Sequence, residues 1–191
     1  VMASELHVDA IKHSGGTSAL TIDSSGNLTT NAKLLSAGHV IQVLQSQKTD
    51  TFTTTSVINS GGFVDLTGLS VNITPASSSS KFLISAKISG MIWTPGHTYF
   101  RLVRDSTVIG VADSAGSRAT VASSSQQESN WGVTDHVTSC LDSPSTSSQI
   151  TYKVQCGTEY GTLYVNRSNR DTDAWYDVRT SSEITVMEIA G

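Results

Sequence analysis

Acidic and amide side chains alternate in the segment NRSNRDTDAWYDVR near the end of the chain. Asn169, Asp171 and Asp173 offer oxygens at every second position, as calcium-binding loops do, and hard cations prefer such ligands. The glycine and the terminal glutamate of an EF-hand are missing. The alternative is a turn rich in asparagine and aspartate, in which Arg167 and Arg170 neutralise the acids. The sequence leaves both interpretations open.

Two aromatic residues, Trp175 and Tyr176, stand directly beside these polar groups. Aromatic rings next to hydrogen-bonding side chains suit a sugar ring, because sugars present C–H patches bordered by hydroxyls. Both rings could instead pack beneath the loop or at a seam between subunits. The candidate contacts for a receptor such as a host-surface glycan are Trp131, Tyr160, Arg170, Trp175 and Tyr176.

No arrangement of residues in the sequence matches a catalytic or metal-binding motif. The histidines have no ligand spacing among themselves or with Cys140 and Cys156, and neither a nucleophile elbow nor a phosphate loop is present. If Ser143–Ser148 formed a hairpin turn, the two sulfurs would lie about 15 Å apart, so free thiols are predicted. We expect a protein that is not an enzyme and that uses no cofactor.

Composition narrows the class of protein. Charged residues make up 15% of the chain and serine and threonine more than a quarter, which is typical of a β-rich protein with hydroxylic outward positions. The net charge of −4 argues against nucleic acid as a partner, because nucleic-acid binding needs a basic surface. No apolar run is long enough for a membrane helix and no leader pattern opens the chain, so we expect synthesis in a cytosol without membrane insertion.

The sequence divides into two parts near Ser36–Gly38. In residues 1–37, short alternating runs separated by Gly15-Gly16 and by Ser24–Asn27 predict a small β-hairpin segment of three strands, which needs a partner chain to be stable. Residues 38–191 contain about eight alternating segments, such as KFLISAKISGMIW, and no sustained helical period. The fold class predicted is all-β, with an antiparallel sandwich or jelly roll as the larger domain.

Two connections in the larger domain have opposite patterns. The segment YFRLVRDSTVIGVA predicts a hairpin around Asp105-Ser106. The segment DSAGSRATVASSSQQESNWG lacks apolar periodicity, which predicts a long exposed loop that ends at Trp131.

The first and last strands of the larger domain are apolar on both faces. In HVIQVLQ, strict alternation points Val40 and Leu44 one way and the two other aliphatic residues the opposite way, and EITVMEI repeats this pattern. A two-faced antiparallel strand needs a second cover, which an identical neighbouring chain, the N-terminal segment or a loop could provide. The predicted interface between copies consists of Val40, Ile41, Val43, Leu44, Ile184, Val186, Met187 and Ile189.

Both ends and the middle of the chain resemble one family of virion proteins. The run LHVDAIKHSGGTSALTIDSSGNLTT resembles a short β element in fibre and other virion proteins of tailed phages, especially marine and cyanobacterial phages. The segments LSVNITPASSSSKFLIS, SPSTSSQITYKVQ and LYVNRSNRDTDAWYDVRTSSEITVMEIAG are similar to a jelly-roll module of the same proteins. The resemblance implies a homotrimeric β-sandwich like the heads of complement and tumour-necrosis-factor proteins, with the first and last strands facing the trimer axis.

The resemblance also implies a location in the virion. A structural protein of this family displays its head for host-surface attachment or for capsid decoration, and its N-terminal segment contacts other virion proteins. Two alternatives remain on the sequence alone: a secreted cytokine-like trimeric ligand, and a virion-associated glycan depolymerase.

Overall fold

The computed structural model describes residues 8–30, 37–60, 62–93, 96–127 and 132–191. Every regular element in these ranges is a β-strand, and all strand pairs are antiparallel, which confirms the all-β prediction. Within the described part of the chain, no helix is long and apolar enough to cross a membrane. The chain forms two compact units, Val1–His39 and Val40–Gly191.

The smaller unit is a three-stranded sheet in the order β1-β2-β3. Its strands are β1 (Ala10–Lys12), β2 (Ser18–Ile22) and β3 (Leu28–Thr30). The second turn is closed by Asp23, whose Oδ1 accepts from the backbone N–H groups of Ser25 and Asn27. Three aliphatic side chains of this sheet remain exposed, namely Ile11, Ile22 and Leu28. The unit therefore buries little apolar surface by itself.

The larger unit contains two sheets, and the first, sheet I, is centred on β7 (Lys81–Ile92). Gly90 of β7 pairs with β11 on one side and with β13 on the other, so these strands flank β7 on opposite edges. β14 lies on the β13 side; β4 pairs with β14 and β5 with β13. The other strands of sheet I are β4 (Val40–Lys48), β5 (Phe52–Thr54), β11 (Thr134–Asp142), β13 (Leu163–Val165) and β14 (Ser182–Ile189).

The second sheet, sheet II, has the order β10-β8-β12-β6, and the short β9 pairs with β8. Arg104 pairs with Thr107 across the β8–β9 turn, which confirms the predicted hairpin around Asp105-Ser106. Asp105 has a φ of 51°, a backbone conformation that aspartate tolerates in tight turns. The strands of sheet II are β6 (Val64–Ile73), β8 (Gly96–Arg104), β9 (Thr107–Ile109), β10 (Ser123–Gln127) and β12 (Ile150–Thr158).

The core lies between the two sheets and is built by alternation. Every second residue of β7 points inward, and the aliphatic and aromatic side chains predicted for that face are buried. The opposing layer comes from alternate residues of β6, β8 and β12. The largest fully buried side chains of this core include Phe82, Phe100, Tyr152, Leu66, Leu69 and Ile84. This sandwich-like packing confirms the inward face that alternation predicts for β7.

A polar cluster centred on His136 links the two sheets of the sandwich. His136 of β11 lies at hydrogen-bonding distance from three hydroxyls of β8 and β10: Nε2 is 3.2 Å from Thr98 Oγ1 and 3.1 Å from Ser125 Oγ, and Nδ1 is 3.2 Å from Ser123 Oγ. Burial lowers the pKa of His136 from 6.5 to about 4, with Asp135 opposing the shift. The imidazole is therefore neutral at pH 7 and links the sheets through hydroxyl groups.

Two local predictions were wrong, because pairing partners depend on the whole topology. β10 lies inside the segment that lacked periodicity and was predicted as a loop; its polar residues pair with β8 at one side of sheet II. β11 and β12 belong to different sheets, so Ser143–Ser148 is not the turn of a paired hairpin. Both cysteines are free; Cys156 is buried and Cys140 is half-buried.

A β-bulge changes the facing of the first long strand. Gln42 pairs with Glu188 and Val40 pairs with Ile189, so Ile41 is an extra residue in β4. Strict alternation predicted that Val40 and Val43 point to opposite sides. The inserted residue instead places both on the face that points away from the core.

Candidate functional site

The outer face of sheet I carries a continuous apolar row across four strands. Leu141 pairs with Leu83, Leu83 pairs with Met187, and Met187 pairs with Val43. Directly opposed residues in a sheet share one face, so these four side chains, which we call the outer apolar row, span about 14 Å. The two end members are 59% and 52% exposed, respectively Leu141 and Val43. A single chain leaves this row open to solvent at both ends.

The predicted interface residues divide between the two sides of sheet I. Ile184 and Val186 are fully buried in the core, so their assignment to an interface between copies is corrected. Leu44 pairs with Val186 and therefore faces inward at the sheet edge. The remaining predicted residues available to another chain are Val40, Ile41, Val43, Met187 and Ile189.

The outer face of sheet II has the opposite character. The Asp65 carboxylate accepts from Lys153 Nζ and from Gln155 Nε2, both at 2.7 Å. The Gln155 Oε1 accepts in turn from Arg101 Nε and Nη2 at 2.9 and 2.7 Å. A face of paired polar groups is suited to water, so among the described residues the apolar row across four strands belongs to the outer face of sheet I.

The loop between β13 and β14 is anchored by Asn166. Its Nδ2 donates to the carbonyl oxygens of Lys48 and Asp50 at 2.9 Å each, and its Oδ1 accepts from Ser182 Oγ at 2.6 Å. The residue is fully buried and has a φ of 63°, in the left-handed region. One side chain therefore ties the ends of β4 and β13 to the start of β14.

Asp177 organises the outer half of the same loop. Its carboxylate accepts from Arg170 Nη2 at 2.8 Å, from Ser168 Oγ at 2.9 Å and from the backbone N–H of Thr172 at 3.0 Å, and the Thr172 hydroxyl donates to it as well. These donors, with the Arg170 side chain foremost, hold the pKa of Asp177 well below its usual range. The Asp177 side chain is only 4% exposed, so its negative charge interacts mainly with the other groups of this loop.

Among the three residues with calcium-like spacing, the central Asp171 is paired with two arginines. Asp171 Oδ2 accepts from Arg167 Nη1 at 2.9 Å and Asp171 Oδ1 accepts from Arg179 Nη2 at 2.6 Å, so both oxygens already face cations. Asp173 is exposed, and the backbone N–H of Asn169 contacts Met91 Sδ at 3.0 Å. In the described ranges, no group of three or more His, Cys, Asp or Glu side chains could hold a metal. The geometry matches the alternative of an arginine-neutralised turn.

The aromatic candidates on this loop lie at the surface. Trp175 is 93% exposed and Tyr176 is 53% exposed. The two rings meet edge to face with centroids 5.7 Å apart, and the Arg170 guanidinium lies 4.5 Å from the centre of the Tyr176 ring. Tyr160 is exposed on a different turn, between β12 and β13, and Trp131 lies outside the described residues. The structure therefore brings three of the five candidates together.

A cleft of about 280 Å³ is lined by residues that precede and follow Trp175 and Tyr176 in the chain. Acidic, hydroxyl, basic and small apolar side chains line it: Asp171, Thr172, Asp173, Asp177, Val178 and Arg179 contribute, with Ala174 between them. Hydrogen-bonding groups of both kinds therefore line this cleft, and Ala174 of the lining directly precedes the exposed Trp175 in the chain. Sequence reasoning missed Asn166 and Asp177, although an asparagine directly after an alternating strand is a signal for a left-handed residue.

These features define a β-sandwich protein with one open apolar face and one braced polar and aromatic loop. No protein-family model matches the chain, and no curated protein matches it. Among solved structures, the chain is similar to that of infectious bursal disease virus strain Gx (14% identity, 78% of this chain and 37% of the other, TM-score 0.34). It is also similar to the VP2 subviral particle of that virus, with 14% identity over 78% of this chain and 41% of the other and a TM-score of 0.31. A mutant VP2 protein in T=1 particles is similar as well, with 13% identity over 89% of this chain and 40% of the other and a TM-score of 0.36. The chain spans about two fifths of the length of these proteins.

Proposed function

We propose that this protein is a virion structural protein of a tailed phage, built as a homotrimer whose sandwich heads pack through the outer face of sheet I. The observation that carries the assembly is the outer apolar row, which crosses four strands while the other sheet has a polar outer face. An exposed apolar surface of this kind marks an interaction site. The virion location rests on the sequence resemblance described above.

The strand order supports a jelly roll. In chain order, the eight main strands of the sandwich are β4, β6, β7, β8, β10, β11, β12 and β14. With these numbered one to eight, sheet I reads 1-8-3-6 and sheet II reads 2-7-4-5. Eight strands that alternate between two sheets in this way wind as paired Greek keys. The first and last strands are neighbours in sheet I, next to the face that we assign to the trimer.

The small N-terminal sheet supports attachment to other virion proteins. Its exposed aliphatic side chains, Ile11, Ile22 and Leu28, cannot be buried by three short strands. Contact with a neighbouring virion protein would bury them and stabilise the sheet. The sandwich head would then be displayed either for host-surface attachment or for capsid decoration.

Particle localisation tests the proposal most directly. Antibody labelling and quantitative mass spectrometry of purified particles should detect the chain as a component, and the purified protein should sediment with three times the mass of one chain. A few copies per particle would favour attachment, and hundreds would favour decoration. A stable monomer, or a protein absent from particles, would contradict the proposal.

The two alternative functions have separate signatures. A secreted ligand predicts a glycan on Asn72 or Asn166, which begin the acceptor triplets Asn-Ile-Thr and Asn-Arg-Ser. The Asn166 amide is fully buried and donates two hydrogen bonds, so of these two positions the exposed Asn72 is the available one. A depolymerase predicts release of reducing sugar from a polysaccharide. Neither product is expected from the structural protein proposed here.

A further inference from the structure

Trp175 occupies an unusual position for so large an apolar side chain. It is 93% exposed, whereas Phe82, Phe100 and Tyr152 are fully buried in the core. Removing a Trp side chain from water stabilises a protein by a few kcal/mol. The folded chain gains none of this stabilisation from Trp175, so the indole is available to a contact outside the chain.

The indole does not sit on a loosely held segment. Asp177 gathers Arg170, Ser168 and Thr172, and the Arg170 guanidinium lies over the Tyr176 ring. Tyr176 meets Trp175 edge to face, at an interplanar angle of 70°. This chain of contacts holds the loop that carries the indole in one conformation before any ligand arrives, which reduces the entropy lost on binding.

The charges of the loop select a neutral ligand. Arg167, Arg170 and Arg179 are paired with the two carboxylates Asp171 and Asp177, and Asp173 adds an exposed carboxylate at the cleft. Phosphate-rich ligands are disfavoured, because Arg179, the one cation of the lining, is already paired with Asp171. Carboxylate and hydroxyl oxygens with a guanidinium at the edge match the hydroxyls of a sugar, which both donate and accept.

We propose that the Trp175 indole and the adjoining cleft form a subsite for one neutral pyranose ring of a surface oligosaccharide. The C–H face of the ring stacks on the indole, and its hydroxyls meet the side chains of Thr172, Asp173 and Arg179. The cleft of about 280 Å³ lies just below the usual size of a small-molecule pocket, about 300–1,000 Å³, which suits a single ring of an open polymer. The inference deepens the attachment role and rests on the proposed function, because three heads would multiply a weak contact.

Saturation-transfer NMR of the full chain tests this subsite with four probes: maltohexaose, cellohexaose, α-1,6-mannohexaose and β-1,4-galactohexaose. At least one probe should receive saturation from the protein. Trp175→Ala should weaken its binding by about tenfold, since stacking supplies roughly 1.4 kcal/mol. Trp175→Phe should retain most of the affinity because the flat ring is kept. Folding should be unaffected by either change, since the side chain is solvent-exposed.

The matched control is Trp93→Ala, which removes another partly exposed indole. It should bind the same probe as strongly as the unmodified chain, with a thermal melt to confirm that it folds. Absence of transfer to all four probes, or equal weakening by the two alanine variants, would overturn the subsite. Sedimentation of the same samples keeps the two proposals apart: a Trp175→Ala trimer without sugar binding supports both, and a trimer that never binds sugar overturns only the subsite.

Discussion

At the scale of single residues, small polar side chains determine the shape of the candidate site. Asn166 joins three strand ends with its amide, and Asp177 collects arginine, hydroxyl and backbone donors in the loop that follows. The large aromatic residues of the loop, Trp175 and Tyr176, contribute little to the core. Buried hydrogen-bonded groups are costly to disturb, whereas exposed rings can be changed without loss of stability.

Asn166→Asp should destabilise the sandwich by about 2–4 kcal/mol. The substitution replaces the Nδ2 donor with an oxygen that faces two carbonyl groups, and it places a charge in a fully buried position. Urea unfolding followed by circular dichroism measures the change. Asn72→Asp is the control, because Asn72 is exposed and its Oδ1 only accepts from Thr151 Oγ1. Equal stability of the two variants would refute the anchoring role of Asn166.

His136 should make the stability depend on pH between 6.5 and about 4. In that window the unfolded chain binds a proton at this imidazole and the folded chain does not, so the free energy of unfolding falls as the pH decreases. The loss amounts to at most about 3 kcal/mol and is complete once the pH reaches the lowered pKa. Urea unfolding at a series of pH values measures the slope.

The glutamine variant at this position tests the assignment. His136→Gln keeps groups that can bond to the neighbouring hydroxyls but cannot gain the proton, so its slope over the same window should be smaller. His97→Gln, which alters a partly exposed imidazole paired with Glu159, should keep most of the slope. A full slope in His136→Gln would show that other groups are responsible.

At the scale of elements, bulges and close backbone contacts determine which side chains a strand places on its outer face and which neighbours it can approach. The extra residue Ile41 puts Val40 and Val43 on one face of β4. Gly110, directly after β9, lies against β11. A Cβ atom added to Gly110 would lie only 2.8 Å from Cys140 Cβ. The polar strand β10 owes its place in sheet II to pairing with β8 and to the hydroxyls it offers to His136.

Gly110→Ala should cost more stability than Gly116→Ala, by about 1–3 kcal/mol. Both glycines have a positive φ, 63° and 62°, so the backbone cost of alanine is shared by the two variants. A Cβ at Gly116 meets nothing within 4 Å, whereas a Cβ at Gly110 overlaps Cys140. The difference in thermal unfolding midpoint therefore isolates the close approach of the two segments. Equal midpoints would mean that the segments separate at little cost.

At the scale of the whole molecule, the two sheets have different outer faces. The outer face of sheet II carries a network of hydrogen-bonded polar side chains that includes Asp65, Lys153 and Gln155. The outer face of sheet I carries the outer apolar row, whose side chains are partly exposed in a single chain. This asymmetry gives the sandwich one side for water and one side for another surface, and the proposed trimer uses the second.

Val43→Glu should convert the trimer to monomers, weakening association at least about a hundredfold, because three unpaired carboxylates would be buried near one axis. The monomer itself should fold normally, since Val43 is 52% exposed on an edge strand. Analytical ultracentrifugation over a range of concentrations measures the effect. Ser70→Glu on the outer face of β6 is the control and should leave the mass unchanged. An unchanged trimer in Val43→Glu would place the interface elsewhere.

The amino-acid pattern determined the all-β class, the inward face of long strands such as β7, and the hairpin at Asp105-Ser106, because period-two alternation and turn residues act within a few positions of the chain. It also pointed to the loop that carries Arg170, Trp175 and Tyr176, since their polar and aromatic types stand out in the sequence. Local signals of this kind need no knowledge of distant partners.

Only the tertiary structure decided which strands are neighbours and what each outer face contains. The bulge at Ile41, the assignment of Ile184 to the core and the pairing of Asp171 with two arginines depend on residues far apart in the chain or on register. Alternation alone cannot reveal a one-residue insertion, and sequence spacing alone cannot show which cation is paired with a carboxylate in the folded chain. The outer apolar row exists because four strands from distant parts of the chain align in one register.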